Sequence, residues 1–222
     1  MARLPDIWKT ALSGAVFAVG LPLAGQAADC PLDAEAVAEP GAMVRFDLSA
    51  PCRAGQDVTL LHEGLSFTET IPPDGLLRID LPALADPALI VAAFADGASA
   101  VATSPVTGLE DVARAAIDWS GPAEVALISA DDSGAVGHFG THRGDDSRHL
   151  RVASFKAGSD VPVLPEVVLT PDTCDRALTI HGALKMPGAA TVFHTLTLTL
   201  PPCSETTEGR LLLPQLFPEL GD

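Results

Sequence analysis

Between Asp57 and Leu84 apolar and polar residues alternate, and this restricts what the chain can fold into more than any other stretch. Val58 and Leu60, then Leu65, Phe67 and Ile71, then Leu77, Ile79 and Leu81 keep a period of two. Ser66, Thr68, Thr70, Arg78 and Asp80 fall between them. Strands point successive side chains to opposite faces, so this spacing predicts half-buried strands. Pro73-Asp74-Gly75 supplies a turn: Pro presets its dihedral, Asp bonds its local backbone, and Gly accepts positive φ. The expectation is a three-stranded antiparallel meander with one wet face.

Similar texture runs through the rest of the chain. Asp33–Ala38 reads as a short helical turn and Ala42–Leu48 as a strand. Leu89–Phe94 is almost continuously apolar, as in a strand buried on both faces. Asp96-Gly97 is a hairpin turn, with Ser99–Thr103 returning. Thr107 and Glu110 have capping-box spacing, which predicts a helical turn running into a strand. Glu124–Ala130, His149–Phe155, Glu166–Thr170 and Ala177–Leu184 read as strands. Thr191–Leu200 has the cleanest alternation in the chain. The predicted class is all-β: two tandem or fused antiparallel β-sandwiches, Ig-like or prealbumin-like, over residues 28–107 and 108–222.

The first 27 residues are expected to be a signal peptide. Arg3 and Lys9 precede the apolar run Ala11–Ala24, which is too short to span a bilayer, and Gly25-Gln26-Ala27 offers a cleavage site. The expected location is periplasmic or secreted, with no membrane span in the mature chain. In that compartment Cys30, Cys52, Cys174 and Cys203 should pair. Of the three possible pairings, Cys30–Cys52 and Cys174–Cys203 is favoured because it keeps each bridge within one half, each worth about 3 kcal/mol in the chain-entropy model. The net charge is −16. Nucleic acid binding needs a basic face, so this excludes it, and it disfavours an anionic membrane surface.

Candidate chemistry gathers at Asp131–His149. Asp131, Asp132, His138, His142, Asp145, Asp146 and His149 are all ligand types. Were the flanking strands paired, Asp131/Asp132 and Asp145/Asp146 would meet at one end, and Ca²⁺ or another divalent metal would relieve their repulsion. His138 and His142 would stand ~13 Å apart on a straight strand and could share a metal only if Gly140 bends the chain. The alternative is a solvated hairpin tip. His194 lies on the apolar side of its strand, His181 on the outward side, and His62-Glu63 at a turn. No Gly-x-Ser-x-Gly elbow and no P-loop is present, so no catalytic residue is assigned. With no tyrosine and only Trp8 and Trp119, a stacking platform for sugars or bases is lacking.

The run GQDVTLLHEGLSFTETIPPDGLLRIDLPAL resembles carboxypeptidase-regulatory and transthyretin-like β-sandwich domains: a strand, a turn, a Thr-rich strand and an Asp-Gly turn into a further strand. SAPC, HEGLSF and GHFG together are similar to exported bacterial proteins of unassigned activity. Neither resemblance carries a functional residue over. The expected function is a noncatalytic binding or scaffolding module that engages another envelope protein, with the apolar tail Leu211–Leu220 either available for docking or packed across the last sheet of its own chain. The alternative is a metal-dependent exported protein, Ca-binding or metallohydrolase-like, centred on residues 131–149.

Overall fold

The computed structural model describes residues 30–129, 135–140, 146–156, 163–171, 173–204 and 209–220. The expected signal peptide and its cleavage point lie outside them. The described chain is all-β, with fifteen strands in four antiparallel sheets. The first seven strands are β1 (Asp33–Glu39), β2 (Met43–Ser49), β3 (Asp57–His62), β4 (Leu65–Thr70), β5 (Leu76–Pro82), β6 (Ala88–Phe94) and β7 (Ser99–Ser104). They form sheets β1-β2-β5 and β4-β3-β6-β7. The next eight are β8 (Val112–Ser120), β9 (Glu124–Ser129), β10 (Ala135–Phe139), β11 (Arg148–Lys156), β12 (Val163–Leu169), β13 (Ala177–Lys185), β14 (Val192–Thr199) and β15 (Gly209–Leu212). These form sheets β10-β11-β8-β13-β14 and β15-β12-β9.

The meander does not form as expected. β3 and β4 pair as a hairpin, but β5 pairs with β2 in the opposite sheet. Pro72 and Pro73 have no N–H to extend a ladder. The Pro72–Gly75 turn therefore carries the chain across the sandwich, with Gly75 N–H bonded to Pro72 O and Asp74 Oδ1 accepting from Leu76 N–H. Gly75 has φ +76°, and a Cβ there would stand 2.5 Å from Pro51 Cα. The wet face is also only partly wet: Ser66 and Thr68 are buried, and so is Glu69 on the opposite face of β4. Three local expectations change with it. Asp33–Glu39 is a strand rather than a helical turn. β6 alternates, with Leu89 exposed. The Leu109–Asp111 turn does run into β8, but without a side-chain cap.

The burial of β4 follows from sheet sizes. β1 lies against β7 and β2 against β6, so the three-stranded sheet runs out before it reaches β4. The five-stranded sheet covers β4 instead, through β11, β8, β10 and β13. Ala116, Leu150, Val152 and Ala183 on that sheet join the core of Phe46, Leu60, Phe67 and Ile90. Its other face packs Ile117, Trp119 and Ile180 against Val167 and Phe217. Ala113, Ala115 and Ala116 let both layers approach β8 closely, and every residue from Ala113 to Trp119 is buried. The sheets of residues 33–104 and of residues 112–212 thus share a continuous apolar layer.

Cys30 is bonded to Cys52 and Cys174 to Cys203, the pairing expected from the spacing. No helix among the described residues is long and apolar enough to cross a membrane.

Candidate functional site

Of the seven ligand-type residues in 131–149, three fall among the described residues. His138 is exposed on β10, Asp146 is exposed, and His149 is buried on β11. Asp131, Asp132, His142 and Asp145 lie outside them. The strands expected to bring the acids together do not pair: β9 joins β12, and β10 joins β11. Among the described residues, the one group with three metal-capable side chains in ligating range is Cys174, Asp175 and Cys203. Its sulfurs are bonded to each other, which leaves them no thiolate for a metal.

β8, β10 and β11 frame a cleft of about 380 Å³ lined by Trp119, Glu124, His138, Phe139, His149 and Arg151 among others. Trp119 is its floor. Its Nε1–H donates to Ala123 O at 2.7 Å, His149 stacks on its ring at 5.1 Å, and the Arg151 guanidinium lies 5.2 Å from the ring centre. A cation over an indole face is attracted by the ring quadrupole. Partial desolvation at the cleft wall, helped by the Arg151 charge, lowers the pKa of His138 below the ordinary histidine value.

Beside the cleft, His149 is paired with a serine that the sequence does not single out. Ser147 Oγ lies 3.2 Å from His149 Nε2, and His149 Nδ1 lies 3.3 Å from Gly140 O. A carbonyl only accepts, so Nδ1 carries a proton, and in the neutral ring Nε2 accepts from the serine hydroxyl. This is the tautomer a serine nucleophile requires. Ser147 is 1% exposed, however, which closes its hydroxyl to a substrate. The pair therefore fixes the end of the β10–β11 hairpin. A search for Gly-x-Ser-x-Gly could not have found it, because the serine and histidine are separated by one residue at a strand entry.

The densest polar chemistry lies in the joint between the two sandwiches. Arg114 is 1% exposed. Its Nη1 donates to Ala42 O at 2.7 Å and also to Ala83 O, its Nη2 donates to Gly41 O at 2.8 Å, and its Nε donates to Ser154 Oγ at 3.1 Å. Burial lowers its pKa to about 10, so it stays charged at neutral pH. Four residues on, Asp118 Oδ2 accepts from Ser66 N–H at 2.9 Å and from Ser66 Oγ–H at 3.0 Å. Arg148 approaches Asp118 at 3.9 Å and donates to Ser66 Oγ. Asp118 Oδ1 has no partner, and burial raises the pKa of this carboxyl. Gly140 N–H donates to Glu69 Oε1, and Phe139 packs on Phe67. All of these groups clamp one sandwich to the other.

His62 is a correction: it is buried at the end of β3 rather than on a turn surface. Nδ1–H donates to Leu89 O, and Nε2 accepts from Leu84 N–H, both at 3.0 Å. The ring is therefore neutral, and burial lowers its pKa. A folded pKa below the unfolded value of about 6.5 gives stability that is fully present above that value and is lost as pH falls through the folded pKa. Urea unfolding at pH 7.5 and at pH 5.5 checks this. The native protein is expected to lose stability at the lower pH, and His62→Gln, already weaker at pH 7.5, is expected to lose less. An equal loss in both proteins would assign the pH dependence elsewhere.

His181 is outward as expected and meets Thr195 Oγ1 at 3.2 Å. His194 is half-buried, edge-on to Phe217, with Nε2 3.2 Å from Glu219. The tail is no docking arm: β15 pairs with β12, and Leu213, Leu216 and Phe217 are each 1% exposed. Gly182 makes room for it, since a Cβ there would stand 3.0 Å from the Phe217 ring.

The sequence matches no model of a known protein family and has no significant match among curated proteins.

Proposed function

We propose that this chain is a noncatalytic module that binds or scaffolds another protein outside the cytoplasm. The two disulfides fit an oxidising compartment. The observation that carries the reading is the contrast between the two outer faces of the first sandwich. On β1-β2-β5 the solvent face is a charge ladder, with Arg45 bonded to Glu39 and Asp47, and Arg78 bonded to Asp47. On β3-β6-β7 the outward register aligns Leu61, Val91 and Val101 across three strands. Leu61 is 38% exposed, Leu89 43% and Val101 57%. Single exposed apolar residues are ordinary, but a contiguous apolar row flanked by Thr59, Ala93, Ser99 and Thr103 supports a contact surface. The tail no longer supports the reading, because it is packed internally.

Site-specific photocrosslinking in the producing cell tests it. Probes at Leu61, Leu89 and Val101 are expected to give one discrete protein adduct, absent from probes at Arg45 and Asp80. Identical adducts from both faces, or none from either, would overturn the reading. Millimolar Ca²⁺ or micromolar Zn²⁺ is expected to leave the melting temperature unchanged. A rise of several degrees would favour the metal-dependent alternative, because a ligand that binds only the native state stabilises it.

A further inference from the structure

Strand β14 is an edge that the fold leaves open. It is the last strand of β10-β11-β8-β13-β14, paired on one side with β13 over Val192–Thr199. Among the described residues nothing pairs with its other side. The tail covers the inner face instead, through Phe217 and Glu219 at His194.

Natural edge strands are guarded by lysine, proline, a bulge or short length. β14 has none of these. It runs eight residues without a break. From Met186 to Ser204 the sequence contains no Asp, Glu, Lys or Arg, although the chain carries a net charge of −16. Thr195, Thr197 and Thr199 stand exposed on one side, and Phe193 is 54% exposed. An open, uncharged row of backbone donors and acceptors is a template for strand addition.

We infer that this edge joins a second copy of the chain, β14 against β14 in antiparallel register, to make a continuous ten-stranded sheet. Self-complementarity selects this occupant and charge permits it: at a net charge of −16 most surfaces of two copies repel each other. The β14 edge is a neutral stretch where two such acidic chains can meet. The strand is complementary to itself. A two-fold axis normal to the sheet at Leu196 sets Thr195 opposite Thr197 of the second copy, and Phe193 opposite Thr199. This operation does not mix the two faces of the strand: the half-buried His194, Leu196 and Leu198 of both copies stay on one side and the threonines on the other. Opposed threonines hydrogen-bond across strands, as Thr179 and Thr197 already do within one chain at 3.0 Å. The interface is isologous and closes at two copies. It is separate from the apolar face of β3-β6-β7 and does not depend on that reading.

Sedimentation velocity of the full chain across about 1–100 μM decides it. The native protein is expected to reach twice the chain mass within that range. Thr195→Lys/Thr197→Lys places like charges directly opposite each other across the axis, and should leave a monomer with an unchanged circular dichroism spectrum. Mixing it with Thr195→Glu/Thr197→Glu should restore a 1:1 dimer, which separates interface repulsion from misfolding. A native monomer at 100 μM, or a dimer that the lysine variant leaves intact, would overturn the proposal. If the lysine variant does not fold, the glutamate variant alone must still be monomeric.

Discussion

Arg114→Met is expected to lower the unfolding free energy by about 2–4 kcal/mol. The guanidinium joins β8 to the carbonyls of Gly41, Ala42 and Ala83, which belong to the other sandwich. Methionine fills much of the volume and removes a desolvated charge, which by itself would stabilise. It also removes three charge-assisted hydrogen bonds and leaves the buried Ala83 O without a donor, which costs about 1–3 kcal/mol, while Ala42 O keeps Ala83 N–H and the exposed Gly41 O meets water. The second effect wins because the three bonds to a charged donor are lost together. Lysine is not a conservative replacement, since a single ammonium cannot reproduce the planar fork. Equilibrium urea unfolding checks the prediction. The midpoint should fall sharply, whereas Arg45→Met, which breaks an exposed network on β2, should cost under about 1 kcal/mol. A loss for Arg114→Met as small as that would mean that the joint is held by apolar contacts alone.

Gly140→Ala is expected to cost on the order of 2–5 kcal/mol, from left-handed backbone strain and overpacking together. Gly140 has φ +87°, and a Cβ there would lie 2.3 Å from Arg148 O and 3.0 Å from His149 Cα. Both are backbone atoms, so no rotamer change relieves the clash and the β10–β11 hairpin must open. Opening withdraws Gly140 N–H from Glu69, Gly140 O from His149, and Phe139 from Phe67. The expected signature is a lower urea midpoint together with an altered near-ultraviolet spectrum of Trp119, against which His149 stacks. An unchanged midpoint would show that the hairpin does not contribute to the clamp between the sandwiches.

Neither residue reveals its role in the sequence. Spacing alone makes Gly140 the place where the chain could bend to bring His138 and His142 together. Its actual constraint is the approach of the β11 backbone, which no local spacing records. Arg114 lies in a stretch with both helical and strand periodicity, and its burial depends on carbonyls 72 and 73 residues earlier in the chain. His62 looks like turn surface because Glu63-Gly64 follows it. The structure turns at Glu63 and Gly64, both with positive φ, and leaves His62 inside. The seven-residue cluster at 131–149 is legible as composition, but composition does not say which strands pair, and the strands on either side go to different sheets.

The sequence by itself determined the all-β class, the alternation of β3, β4 and β14, and the turns at Asp74-Gly75 and Asp96-Gly97, and it favoured one of three possible pairings of the cysteines. Each is written in a few neighbouring residues or follows from spacing along the chain, because pleat, turn chemistry and loop closure are short-range physics. Only the tertiary structure decided that β5 crosses to β2, that polar β4 is buried, that the tail is core, and that an arginine and an aspartate hold the two sandwiches together. Alternation says which side chains share a face. It does not say what that face meets, since burial of Ser66, Glu69, Arg114 and Asp118 requires partners brought from distant strands.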